Sequence, residues 1–260
     1  MAGVTFSVRA TWWGHSTVWI EDSGVRLLTD PLLVDRLAHL RRRAGGPPVL
    51  PGAPDAVLVS HLHADHLHLE SLRRVPGDPV LIVPRGAAAF IAATLGRRYA
   101  DRCVETVPGD RTTVGPVRVA TVPAAHHGGR GPWSRHRAVA VGYLVDGAAR
   151  TWFAGDTGLF AGMDRLGPLD LALVPVGGWG PTLGEGHLDP AAAAEAVRRC
   201  APRWAVPVHY GTFWPVGLTR VRPHLFAEPG RRFAGHAART APDTRVRVLT
   251  HGGCLTVGPR

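Results

Sequence analysis

Short apolar runs closed by glycine, proline or aspartate recur along the whole chain, a pattern of strands rather than of long amphipathic helices. The stretches VRATWWGH, STVWIED and GVRLLTDP come first and read as a meander, with Gly24 and the Asp30-Pro31 pair as turns. Residues 34–54 hold the Arg41-Arg42-Arg43 run and GGPPVLPGAP, which predict a solvated loop or lid with a helical turn. Strands AVLVS and PVLIVP follow, then a helix in GAAAFIAATLG. Further strands are expected in TTVGPVRVATVP, AVAVGYLVD, ARTWFAGD, LDLALVPV, WAVPVHYG and RVRVLT. Helices are expected around Leu159 to Leu166, in LDPAAAAEAVRRC and around Arg231 to Arg239. In the second of these Asp189 is placed to cap and Pro190 to begin the first turn. Strands interleaved with helices, without a repeat or a linker, predict one mixed α and β domain over residues 1–260.

Composition sets the outer bounds. At 260 residues and 45% hydrophobic content the chain can bury a sizeable core. Its N-terminus lacks the pattern of a signal peptide, and no apolar run nears the ~20 residues that cross a bilayer. Cys103, Cys200 and Cys254 are odd in number, far apart and without CxxC spacing, which argues against a disulfide framework and a thiolate metal site and suits a reducing cytoplasm. A net charge of +10 would fit a nucleic-acid partner. Yet all 30 basic residues are arginine, scattered through a chain that contains no lysine, asparagine or glutamine, as GC-rich coding alone would produce. No nucleic-acid partner is expected.

The chemistry concentrates in VLVSHLHADHLHLE, where His61, His63, Asp65, His66 and His68 follow a buried-strand pattern at the point where the strand must end. His61 and His63 alternate with Leu62, so both imidazoles project to one side, while Asp65 and His66 follow on a turn that can aim them at a neighbouring point. Two adjacent metal positions account for that arrangement, since divalent ions take imidazole nitrogen and carboxylate oxygen at ~2.0–2.2 Å. With 14 histidines and 14 aspartates in the chain, HxHxDH arises by chance only about 0.002 times. One loop cannot supply two ions. Later strand ends offer His126 and His127 in ATVPAAHHGG, Asp156 in TWFAGDTG and His209 in WAVPVHYGTF. Taken singly, these could be a surface histidine, a helix cap and a core histidine; with the cluster they complete a donor set.

In that order these residues resemble the metallo-β-lactamase superfamily, and within it the branch of the L-ascorbate-6-phosphate lactonases and the phospholipases D that hydrolyse N-acyl-phosphatidylethanolamine. WWGHSTVWIE, LLTDP, SHLHADH, VPAAHH, FAGDTG, HLDPAAAAEA and VPVHYGTFWP carry the resemblance from Trp12 to Pro215. It implies an α+β fold, a four-layer αββα sandwich of two mixed β-sheets between outer helices, with metals at one edge of the sheets. It further implies that His61, His63 and His126 hold one divalent ion, that Asp65, His66 and His209 hold a second, and that Asp156 bridges them. His126 is preferred to His127 because the family's histidine falls three residues after its proline, here Pro123. His187, before the Asp189-Pro190 helix start, falls on the substrate side, and His15 and Asp30 fall behind the ligands.

The expected activity is that of a binuclear metal-dependent hydrolase, in which a metal-activated hydroxide attacks a small phosphodiester, lactone or related ester or amide. Asp65 would orient the nucleophile and His187 would protonate the leaving group. Zinc is the expected ion, with manganese or iron as alternatives. Arg130, Arg135 and Arg137, with Trp133 and Trp179, suggest a small substrate carrying an anionic group. The alternatives are a mononuclear iron oxidoreductase of the same fold and an RNA-processing nuclease.

Overall fold

The computed structural model describes residues 7–131 and 134–258. They form two seven-stranded mixed sheets. The first runs in the order Cys254–Val257, Val8–Trp12, Val18–Asp22, Val25–Thr29, Ala56–Leu58, Val80–Pro84 and Cys103–Thr106. It is antiparallel as far as Val25–Thr29 and parallel beyond it. The second runs Arg245–Val246, Trp204–Val208, Leu171–Pro175, Arg150–Phe153, Val141–Asp146, Val117–Pro123 and Arg111–Val114. Its first four strands are parallel and the rest antiparallel.

Side chains alternate across a strand, so neighbours in sequence enter different cores. Leu27 joins Ile20, Leu58 and Ile82 in the core shared with Val119, Tyr143 and Phe153 of the second sheet. Leu28 turns the other way with Trp19, Val57 and Leu81, where Leu72, Ala87 and Ile91 from the helices Leu69–Arg74 and Ala87–Leu95 cover them. The helices Pro190–Cys200 and Pro229–Thr240 pack Val197, Phe233 and Ala237 against the second sheet. The result is the expected four-layer αββα sandwich. Leu171–Pro175 is buried at every position, as a parallel strand covered on both faces requires. Asp189 accepts from the Ala192 amide and Pro190 opens the helix, as its sequence predicts. Among the described residues no helix is long and apolar enough to cross a membrane.

Several local expectations change. The segment read as a loop or lid contains the short strands Arg36–Leu37 and Leu40–Arg42, which build a three-stranded sheet with Phe213–Pro215. The pairing partner lies far away in sequence, so local pattern could not reveal it. Within the supposedly solvated arginine run, strand alternation leaves Arg41 and Arg43 exposed and buries Arg42. Around Leu159 to Leu166 only a 3₁₀ turn forms, Met163–Leu166, after Gly162 adopts φ +90°. The expected last strand shrinks to Arg245–Val246, and the chain crosses to the other sheet for the unforeseen Cys254–Val257.

Arg42 donates Nη2 to the Leu32 carbonyl (2.6 Å), Nε to Val34 (3.1 Å) and Nη1 to Trp13 (3.3 Å), with its guanidinium 4.7 Å from the Phe213 ring centroid. Burial lowers its pKa to about 10. Each abandoned buried carbonyl costs about 1 kcal/mol or more. Arg42→Met is therefore expected to lose roughly 3 kcal/mol of stability, read as a lower midpoint in denaturant at unchanged slope.

Candidate metal centre

Five strands that lead toward one rim of the two sheets end in a donor or a residue that orients one. Val25–Thr29 leads to Asp30, Ala56–Leu58 to Ser60 through His66, Val117–Pro123 to His126, Arg150–Phe153 to Asp156 and Trp204–Val208 to His209. Gly155, at φ +61°, permits a close approach there, since a Cβ on it would lie 2.5 Å from Ser60 Cβ. His15, Asp30 and His209 hold φ of 51°, 32° and 60°, a left-handed region that is costly for residues with a side chain. Three such residues at one rim mark a place where geometry outweighs local backbone preference.

All seven side chains expected to hold metal converge. His63 Nδ1 lies 2.9 Å from His61 Nε2 and 3.2 Å from His126 Nε2. His66 Nε2 lies 3.2 Å from His209 Nε2, and Asp65 Oδ2 is 3.6 and 3.7 Å from those two nitrogens. Asp156 Oδ2 stands between the groups, 3.1 Å from His66, 3.2 Å from His209 and 3.9 Å from His61. Donors placed ~2.0–2.1 Å from a tetrahedral ion lie about 3.4 Å from each other, so these spacings suit cations.

The outward ring nitrogens decide which way the lone pairs face. His66 Nδ1 is 2.7 Å from Asp30 Oδ2, His126 Nδ1 2.9 Å from the Gly186 carbonyl and His209 Nδ1 2.8 Å from the Gly177 carbonyl. Ser60 donates Oγ–H to Asp30 (2.6 Å), which leaves its oxygen to accept from His61 Nδ1 at 2.9 Å. When neutral, each of these four rings spends its one proton outward, the usual state of imidazoles that bind metal through the other nitrogen. The inward lone pairs of His66 and His209 then face each other at 3.2 Å with no hydrogen between them, and Asp156 Oδ1 is buried without a partner. A divalent cation satisfies such a donor set.

The carboxylates and imidazoles shift in opposing ways. Burial would raise Asp65 and Asp156, but the surrounding histidines hold both well below the usual carboxylate range. Burial lowers His61 strongly and takes His126 to about 4. Burial also opposes charge on His66, yet Asp156, Asp65 and Asp30 raise it well above the ordinary value. His187 Nε2 lies 3.4 Å from Asp156 Oδ2, and that contact raises its pKa against burial.

His15, expected behind the ligands, bonds Asp65 Oδ2 through Nε2 at 2.9 Å. Burial and then His209 lower its pKa to about 4, from 6.5. Between those values the unfolded chain binds the proton that the folded one refuses, so this group's contribution to stability is present above pH 6.5 and lost as the pH falls toward 4. In chelator-treated protein, the Tm of His15→Gln should therefore fall less steeply than wild type over that window.

Other expectations resolve differently. His127 is exposed and outside the donor groups, while His126 is within them. His68 caps the helix Leu69–Arg74, its Nδ1 accepting from the Ser71 amide. Arg130 does not reach toward substrate: its Nη1 ties down the Leu62 and Leu67 carbonyls of the histidine loop, at 3.0 and 2.7 Å. Arg135 is exposed, and Trp133 lies outside the described residues. A cleft of about 470 Å³ opens over the donors, walled by Leu37, Trp179, Pro181 and Leu183. Unforeseen were Ser60 and the carbonyls of Gly177 and Gly186; the only signal for Ser60 was its place directly before His61.

Comparison with known proteins agrees with this geometry. The profile of the beta-lactamase superfamily domain matches residues 25–210. A metal-dependent hydrolase of Nitratidesulfovibrio vulgaris is 32% identical over 257 residues, covering 96% of this chain and 95% of that protein. An uncharacterized protein of Mycobacterium tuberculosis is 34% identical over 87% of this chain, and the N-acyl-phosphatidylethanolamine-hydrolyzing phospholipase D 1 of Caenorhabditis elegans 30% identical over 81%. Those two matches span 63% and 65% of the relatives' own lengths, under two thirds of each. In fold, the chain is similar to a metallo hydrolase of Ignicoccus hospitalis, with a TM-score of 0.71 at 24% identity over 96% of this chain and 98% of that one. It is also similar to a diiron β-hydroxylase of Streptomyces venezuelae, with a TM-score of 0.66 at 18% identity over 99% of this chain and 55% of that one.

Proposed function

The chain belongs to the beta-lactamase superfamily, and from that premise we propose that it is a metal-dependent hydrolase, a single domain holding two divalent cations in one binuclear site. His61, His63 and His126 would hold one, Asp65, His66 and His209 the other, with Asp156 shared between them. The observation that supports this most is the inward set of lone pairs on His61, His66, His126 and His209, whose outward ring protons are engaged. Imidazoles with carboxylates suit zinc, and manganese or iron are the alternatives. The metal-dependent hydrolase of N. vulgaris, similar over nearly its whole length, supports the same reaction class.

Bound there, divalent cations supply the charge that acidifies a water toward a pKa of ~7 and polarises a carbonyl or phosphoryl electrophile. This chain's own groups do the rest. Asp65, held as an ionised carboxylate, orients the attacking water and accepts its proton. His15 fixes Asp65 Oδ2, and His187, on the cleft side of Asp156, carries a proton to the leaving group. The substrate is a small phosphodiester, lactone or related ester or amide. The second donor group, Asp65, His66 and His209, speaks against a mononuclear oxidoreductase, and the absence of arginine from the large cleft among the described residues speaks against RNA. Free Cys103, Cys200 and Cys254 suit a reducing cytoplasm.

Elemental analysis of purified protein, followed by turnover of chromogenic phosphodiesters, lactones and esters with and without chelator, tests the reading. Two ions per chain and hydrolysis that chelator abolishes are expected. One bound ion with a visible iron spectrum and no hydrolysis would overturn it.

A further inference from the structure

The donor cluster is flanked by two clefts of different character. The larger, about 470 Å³, is walled by apolar side chains such as Trp179 and Leu183 and, among the described residues, by no arginine. The smaller, about 190 Å³, is lined by His127, Gly129 and Arg137. His63 and Gly131 line both, so the two compartments meet beside the donors.

Arg137 differs from the arginines around it. Arg130 is committed to two carbonyls and Arg42 to three. The Arg137 guanidinium makes no hydrogen bond or ion pair among the described residues, and it lies along Gly129, where a Cβ would meet its Cδ at 3.5 Å and its Nη1 at 3.7 Å.

Resting on the hydrolase reading, we infer that the substrate has two unlike ends: an apolar group housed in the larger cleft, and a small anionic group, carboxylate or phosphate, held by Arg137 in the smaller one. The bond that is hydrolysed then lies between them, over His63, with water's oxygen going to the electrophile and a proton to the leaving group. The reverse orientation is unfavourable. An anion pushed among Leu37, Trp179 and Leu183 would lose part of its hydration against apolar walls, whereas the Arg137 guanidinium offers a paired, charge-assisted fork.

Three 4-nitrophenyl esters of a five-carbon acid, ending in methyl, carboxylate or phosphate, test this on the metal-loaded enzyme. Wild type should prefer the anionic esters by about ten- to hundredfold in kcat/KM, mainly through KM. Arg137→Gln should bring that ratio near one, and Arg137→Glu should invert it. The carboxylate and phosphate arms separate the two anion types. Equal use of all three esters by wild type, or a preference that survives Arg137→Gln, overturns the inference and leaves the hydrolase reading standing. Should none be cleaved, calorimetric binding of the matching ketones, with CH₂ in place of the ester oxygen, still decides the charge preference, while the hydrolase reading is decided on the wider panel of phosphodiesters and lactones. Equal affinities in wild type and Arg137→Gln would then reject Arg137 as the anion site.

Discussion

Replacing Asp156 by alanine is expected to lower kcat/KM by at least about 10³-fold, because two cations would lose the one carboxylate common to both. Asp156 Oδ2 sits within 3.2 Å of His66 and His209 and 3.9 Å of His61, so no other side chain can take its position. Metal content should fall in parallel, to fewer than two ions per chain by elemental analysis. His61→Ala and Asp65→Ala should behave alike, since each removes a donor from one group. Metal-dependent turnover retained in all three variants would reject the assignment.

Stripping the metal is expected to lower Tm by about 10 °C. A ligand that binds only the folded state at a thousand times its Kd adds ~4 kcal/mol, and a chain of this size shifts by about 2–4 °C per kcal/mol. The structure gives a reason for an effect of that size. Without cations, His66 Nε2 and His209 Nε2 face each other at 3.2 Å beside Asp156, and the repulsion must be relieved by protonation or by movement. The raised pKa of His66 shows which ring would take the proton. Scanning calorimetry with and without chelator measures the shift, and Asp156→Ala should show a much smaller one. An unchanged Tm after verified metal removal would mean that the cluster is stable by its own hydrogen bonds.

Legibility in the sequence followed how local each cause was. His61, His63, Asp65 and His66 could be read directly because a strand that ends on a turn imposes its geometry over a few residues. His126, Asp156 and His209 were found by the same rule applied at other strand ends, together with the family resemblance. The choice of His126 over the adjacent His127 rested on a family spacing, and the structure separates them by exposure and by the bond from Nδ1 to the Gly186 carbonyl. Arginines were misread for the opposite reason. In sequence Arg42 reads as a solvated surface charge and Arg130 as a contact to an anionic substrate, yet each is anchored to carbonyls brought near by distant segments. The strand Cys254–Val257 and the small sheet containing Leu40–Arg42 depended on partners far along the chain in the same way.

By itself, the order of residues determined the kind of chemistry: which side chains end which strands, and that they are imidazoles and carboxylates, because strand period and metal-donor preference act over short stretches. Tertiary structure alone decided what surrounds that chemistry. Which ring nitrogen faces inward is set by Asp30, Ser60, Gly177 and Gly186, which meet the ligands only in the folded chain. The split between an apolar cleft and a cationic one likewise comes from loops converging at His63 and Gly131. Such contacts are products of packing, and no local pattern encodes the distance between residues that meet only when two sheets close on each other.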